Sequence, residues 1–124
     1  MGIRFIKLAT IYFLIGIGLG IFMEMAHDHA LMGVHAHINL VGWVSMALFG
    51  LLYHYFPQLA NNKLGKAHFW LHNLSLPLFM LGLGFLLYGN ESLLLLVIVG
   101  SNVLAISVIV FVVNVFKNLK VDTS

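Results

Sequence analysis

The sequence predicts an all-α membrane protein: four transmembrane helices in an antiparallel bundle, both termini cytoplasmic, as one domain over residues 1–124. Three observations predict it. Of the 124 residues, 61% are hydrophobic and 8% charged, and the mean hydropathy is +1.03, a composition that belongs to a membrane chain rather than a soluble domain. Four apolar stretches are each long enough to cross a hydrocarbon core, which takes roughly 20 helical residues at a rise of about 1.5 Å each. The six basic residues fall in three places only: Arg4 and Lys7, Lys63 and Lys66, Lys117 and Lys120. These sites precede the first span, join the second to the third, and follow the fourth. The positive-inside rule therefore puts both termini in the cytoplasm of a multi-pass protein of the cell (inner or plasma) membrane.

The first span runs from about Phe5 to Met25. Its charge-free part lies between Lys7 and Glu24, and Arg4 and Lys7 can snorkel to the interface. Basic residues ahead of an apolar run, with Ala26 and Ala30 behind it, also fit a signal peptide. The run exceeds the 7–15-residue apolar core such peptides usually carry, so a span is the expectation. Gly16 and Gly20 make a Gly-x-x-x-Gly spacing, with Gly18 between them, that lets helix backbones approach closely within the bundle or between copies.

The second span runs from about His35 to Phe56 and carries the informative motif, His35-Ala36-His37-Ile38-Asn39-Leu40-Val41-Gly42-Trp43. An ionisable side chain inside a membrane helix marks a functional site by default. Two positions apart on a helix of 3.6 residues per turn, His35 and His37 point about 200° away from one another. One iron cannot take both from one regular helix, so they face two centres, or reach one centre from two copies of the chain. Asn39 stands two positions on, for a ligand or for an interhelical hydrogen bond.

The third span runs from about His68 to Tyr88 and the fourth from about Ser92 to Phe116, with small residues at Gly82, Gly84, Gly100 and Ser101. His68 and His72 lie at i and i+4 on one helix face, which is also a metal-ligand spacing. With no acidic residue near them in sequence, packing is the expected role. His54 and Trp70 read as interface anchors. About 25 Å of helix separates His37 from His54, so the chain holds two distinct histidine sets.

Cysteine is absent, which removes disulfides, thiolate metal sites and covalent attachment of haem through C-x-x-C-H. The six basic residues are accounted for as topology anchors, and no nucleic-acid partner is expected. The partner expected throughout is membrane lipid. A second functional reading comes from Met23, Met25, His27, His29 and Met32, which with His35 and His37 mix thioether and imidazole in one external segment. Those ligand types suit copper, so copper binding or delivery is the alternative. A third reading makes the protein a non-catalytic structural subunit whose histidines bond neighbouring helices.

The pattern His35-x-His37, Gly42-Trp43, Gly50, Tyr53 and Pro57 resembles the tenth helix of subunit I in haem-copper oxidases, especially the C-type oxidases and their nitric oxide reductase relatives. Lys66-Ala67-His68-Phe69-Trp70 then resembles the start of the eleventh helix. The resemblance implies that His35 matches the ligand of the high-spin haem and His37 that of the low-spin haem, with Asn39, Gly42 and Trp43 beside them. It gives His68 a structural role. It equates the chain with roughly the last third of a twelve-helix subunit, one of three pseudo-equivalent four-helix arcs. The family's copper-ligand histidines on the sixth and seventh helices, and its cross-linked tyrosine, have no counterpart here, so a complete oxygen-reducing centre is not expected in this chain alone. The expectation is a small, stand-alone protein binding haem b without a covalent link. It would act in electron transfer or diatomic gas binding as a homo-oligomer, with a homotrimer rebuilding the three-arc arrangement. Neither the redox partner nor any turnover follows from these residues.

Overall fold

A computed structural model describes residues 1–121, and those residues form helices joined by short turns. The helices are α1 (Gly2–Ala26), α2 (Met32–Tyr55), the single turn α3 (Pro57–Ala60), α4 (Lys63–Leu87) and α5 (Leu94–Asn118). The four long ones are each long and apolar enough to span a membrane. Their bounds differ from the expected spans by up to five residues. The largest difference is at α4, which begins at Lys63 because the Asn62 side chain accepts the Gly65 N–H at 2.9 Å and caps the helix. Apolarity marks where lipid begins, whereas the cap marks where the helix begins.

The ends of the other helices have equally local causes. After α1 the chain turns at His27, whose φ of 50° is left-handed, and the Asp28 N–H closes back on the Met23 carbonyl at 3.2 Å. At the close of α2, Phe56 is driven out of the helical region by Pro57, which then opens α3 at a position where its missing N–H costs nothing. Within α2, residues Ile38–Val44 are wound as a π-helix between regular turns. Such a segment is rare and shifts carbonyls away from their usual i+4 partners.

The long helices pair as two hairpins. Along the first, α1 lies on α2 at glycines: Gly42 sits under the Tyr12 ring, and a Cβ on Gly50 would meet Ile6 and the Gly2 carbonyl at 2.5–2.7 Å. Along the second, Gly100 of α5 lies against Phe79 of α4, and Gly82 of α4 against Leu93, Leu96 and Val97. Between the hairpins, at the end that carries the lysines, is a layer of rings: Phe5, Phe49, Tyr53, His68, Phe69, His72 and Phe111. Toward the other end the hairpins part over an apolar cavity of about 550 Å³, lined by Leu19, Leu31, Val34, Ile38 and Met80 among others. Outward faces such as Leu14 and Ile21 on α1 and Leu95 and Phe116 on α5 are apolar and exposed, as lipid-facing surfaces are.

Candidate functional site

The two motif histidines stand on the last regular turn before the π segment and leave α2 toward different neighbours. His37 is half-buried, with its ring edge-on to Phe79 of α4 at 5.4 Å between centres. Its Nδ1–H donates to the Gly33 carbonyl one turn back, at 2.7 Å. A carbonyl oxygen can only accept, so this bond fixes the proton on Nδ1 and leaves Nε2 as a bare lone pair. Ligating histidines are held in the same way, their second nitrogen donating to a carbonyl or carboxylate. The donor chemistry of His37 thus fits a ligand of haem iron.

His35 turns to α1 instead. A Cβ placed on Gly20 would lie 3.2 Å from His35 Cε1, and one on Gly16 would collide with the Asn39 side-chain oxygen. The Gly16-x-x-x-Gly20 pair therefore houses Asn39 and His35, themselves four residues apart, and Gly18 between them has nothing within 4 Å. The Asn39 amide donates to the His35 carbonyl at 3.1 Å and lies 3.3–3.4 Å from both ring nitrogens, too evenly and too far to fix either. Gly42 and Trp43 also face α1, against Tyr12 and, edge-on at 4.5 Å, Phe13. In this chain Asn39, Gly42 and Trp43 are thus contacts between α1 and α2.

The methionines and histidines between Met23 and Met32, at the end of α1 and in the segment after it, differ in their exposure. Met23 is buried, while Met25 and Met32 are 77% and 49% exposed. His27 occupies the left-handed turn and His29 is exposed. Among the described residues no three histidine, cysteine, aspartate or glutamate side chains are grouped to hold a metal ion. Asp28, in the same segment, accepts the Ala30 N–H at 3.0 Å and the Tyr88 hydroxyl at 2.9 Å. These bonds, the backbone one foremost, hold its carboxyl below the usual range, and the bond to Asp28 pushes the Tyr88 phenol up.

At the lysine-bearing end the structure assembles a polar cluster that sequence spacing had only half marked. His68 and His72 are fully buried in the ring layer. The Tyr53 hydroxyl lies 2.7 Å from His68 Nδ1, and His72 Nε2–H donates to the Val41 carbonyl, inside the π segment, at 3.1 Å. The i, i+4 spacing was a legible signal for the pair. Nothing in the sequence tied it to Tyr53, fifteen residues away, or to a backbone carbonyl thirty-one residues away.

No protein-family profile matches the chain, and no solved structure does. Among curated proteins the chain is similar to cytochrome c oxidase subunit 1 of Synechocystis sp. (strain ATCC 27184 / PCC 6803 / Kazusa), 38% identical over 109 residues. That alignment takes in 75% of this chain and 20% of the relative, so the chain spans about a fifth of the length of the protein it matches. The likeness supports the relationship expected from the His-x-His and Lys-x-His-Phe-Trp motifs. The protein is a multi-pass, all-helical membrane protein whose sequence is related to that of subunit 1 of the haem-copper oxidases.

Proposed function

We propose that the protein binds b-type haem without a covalent link, through His37, and acts in electron transfer or in binding a diatomic gas. The observation that carries this reading is the His37 Nδ1–H bond to Gly33, which leaves Nε2 as the free ligand atom. Relationship to an oxidase subunit 1 supports haem as the cofactor. His35 is the second candidate ligand. It faces α1 while His37 faces α4, so one chain does not offer both to one iron. A homo-oligomer, a trimer on the three-arc resemblance, would close the iron from a second chain. In the orientation set by the basic residues both histidines lie near the outer leaflet of the cell membrane, with both termini cytoplasmic. Bound haem would supply a one-electron redox centre if two imidazoles held its iron, and an open site for a small gas if one did. The chain's own part is to hold His37 in one tautomer and, through Phe79, in one orientation.

Spectra of His37→Ala and His35→Ala against the parent test the assignment. His37→Ala is expected to abolish the sharp reduced α and β bands of low-spin haem, and the native mass of the parent in detergent to be three chains. Unchanged bands in His37→Ala would overturn the ligand. A parent mass of one chain carrying six-coordinate haem would overturn the oligomer.

A further inference from the structure

At the end away from the lysines, the apolar cavity between the hairpins is of a size, about 550 Å³, that falls among small-molecule sites of about 300–1,000 Å³. Val34, Ile38 and Met80 form its buried floor. Ile15 of α1 and Phe85 of α4 line its sides and are 46% and 42% exposed, so it opens toward lipid between those helices. Gly84, also on its wall, is not a point of close helix approach. A Cβ there would stand 3.8–4.0 Å from Leu31 and Val34, an ordinary contact, whereas one on Gly82 would meet Leu93, Leu96 and Val97 at 3.0 Å. The missing side chain at Gly84 leaves room. From Tyr88 at the mouth to Met80 the cavity runs about 12 Å along α4, at about 1.5 Å per residue. One leaflet of a hydrocarbon core about 30 Å thick is about 15 Å deep, so a single lipid chain of that leaflet matches the length.

We propose that this cavity takes one hydrocarbon chain of a membrane phospholipid whose headgroup ends in an ammonium, and that the ammonium sits against Asp28. An apolar cavity stays dry and accepts apolar guests, which accounts for the chain. The rim selects the head. Tyr88 donates its hydroxyl to Asp28 Oδ2 at 2.9 Å, and Asp28 Oδ1 accepts the Ala30 N–H at 3.0 Å. Each carboxylate oxygen has two acceptor sites, so one on each is left for ammonium N–H groups. The same two bonds lower the Asp28 carboxyl pKa and keep it charged near neutrality. Asn90, also at the mouth, accepts the Ser92 N–H on Oδ1 at 2.9 Å, and its Nδ2–H groups are donors of the kind a phosphate oxygen accepts.

Charge separates this head from the other common kinds. Glu24 and Glu91 stand with Asp28 at this end of the bundle, and all six lysines and arginines stand at the other. The basic side chains beside Asp28 are the imidazoles of His27 and His29, not ammonium or guanidinium groups. A headgroup whose phosphate is its sole charge meets acidic side chains here and no lysine or arginine. A headgroup that adds an ammonium brings the missing positive charge, and its phosphate is left to the Asn90 amide. The inference concerns a different face of the bundle from the His37 site and does not rest on haem.

Native mass spectrometry of the purified protein, titrated with phosphatidylethanolamine and with phosphatidylglycerol of the same acyl chains, tests the proposal. The expected result is one phosphatidylethanolamine held per chain, retained several-fold better than phosphatidylglycerol. Asp28→Asn is expected to level the two lipids, and Gly84→Phe, which fills the cavity, to lose both while helical content by circular dichroism is unchanged. A phosphatidylethanolamine carrying a diazirine near the end of its chain, photolysed on the parent, locates the chain without any variant. Label on Val34, Ile38 or Met80 is the expected outcome. Label confined to the outward faces of α1 and α5, equal retention of the two lipids by the parent, or a mouth closed by a second copy of the chain on cross-linking would each overturn the proposal.

Discussion

At the scale of single residues, the glycines of α1 divide by what they face. Gly16 and Gly20 admit Asn39 and His35, while Gly18 faces open space. Gly16→Ala is therefore expected to displace Asn39 and to destabilise the protein by about 1–3 kcal/mol, the usual cost of overpacking, and Gly18→Ala to leave stability unchanged. Thermal unfolding in detergent, followed by circular dichroism, checks the pair. The Gly-x-x-x-Gly spacing itself was legible in the sequence as a surface for close approach. That its occupants are an imidazole and an amide was not, because the register of α1 on α2 is set by Gly2, Gly42 and Gly50 together. Asp28 offers a second test outside the spans. Its carboxyl pKa is lowered in the folded chain, so its contribution to stability is complete above the ordinary carboxylate value of about 3.9 and is lost as pH falls through the lowered one. Tyr88 carries the opposite sign: its raised value makes the contribution of the shared bond fade as pH rises through the alkaline range. Melting of Tyr88→Phe is expected to fall below the parent near neutrality, with the gap closing at both extremes.

At the scale of elements, the four spans were legible because apolar length and the grouping of lysines are properties of local sequence. Helix starts and winding were not, because they depend on particular hydrogen bonds. Asn62 is the clearest case: it caps α4 and also donates to Asn114 of α5 at 3.1 Å. Asn62→Ala is expected to cost about 0.5–2 kcal/mol from the cap alone, measured by thermal or denaturant unfolding. The π-helical winding of Ile38–Val44 was invisible in composition. Its physical correlate is the His72 bond to the Val41 carbonyl, which joins the second hairpin to the first across the aromatic layer. Tyr53→Phe removes the hydroxyl from His68 Nδ1 and leaves that buried nitrogen unpaired. The same unfolding measurement is expected to read a loss of about 1–3 kcal/mol.

At the scale of the whole molecule, two glycine-packed hairpins enclose polar chemistry at both ends of one bundle. At one end the π segment begins directly after the His-x-His turn, and His35 and His37 diverge to opposite neighbours. That divergence was legible from a spacing of two residues. The tautomer of His37 was not, because it rests on the Gly33 carbonyl being in reach. At the other end Tyr53, His68 and His72 make two buried hydrogen bonds between the hairpins and leave His68 Nε2 and His72 Nδ1 without a partner. On the haem reading proposed above, the divergence of His35 and His37 calls for more than one chain around an iron.

The most direct test of the haem reading is the absorption spectrum of the purified parent protein, produced with ample porphyrin and recorded oxidised, reduced and reduced with carbon monoxide. The account predicts a Soret band with sharp α and β peaks on reduction, and haem that extracts into acid organic solvent as the non-covalent b type. A colourless protein of native helical content, produced under those conditions, would contradict it.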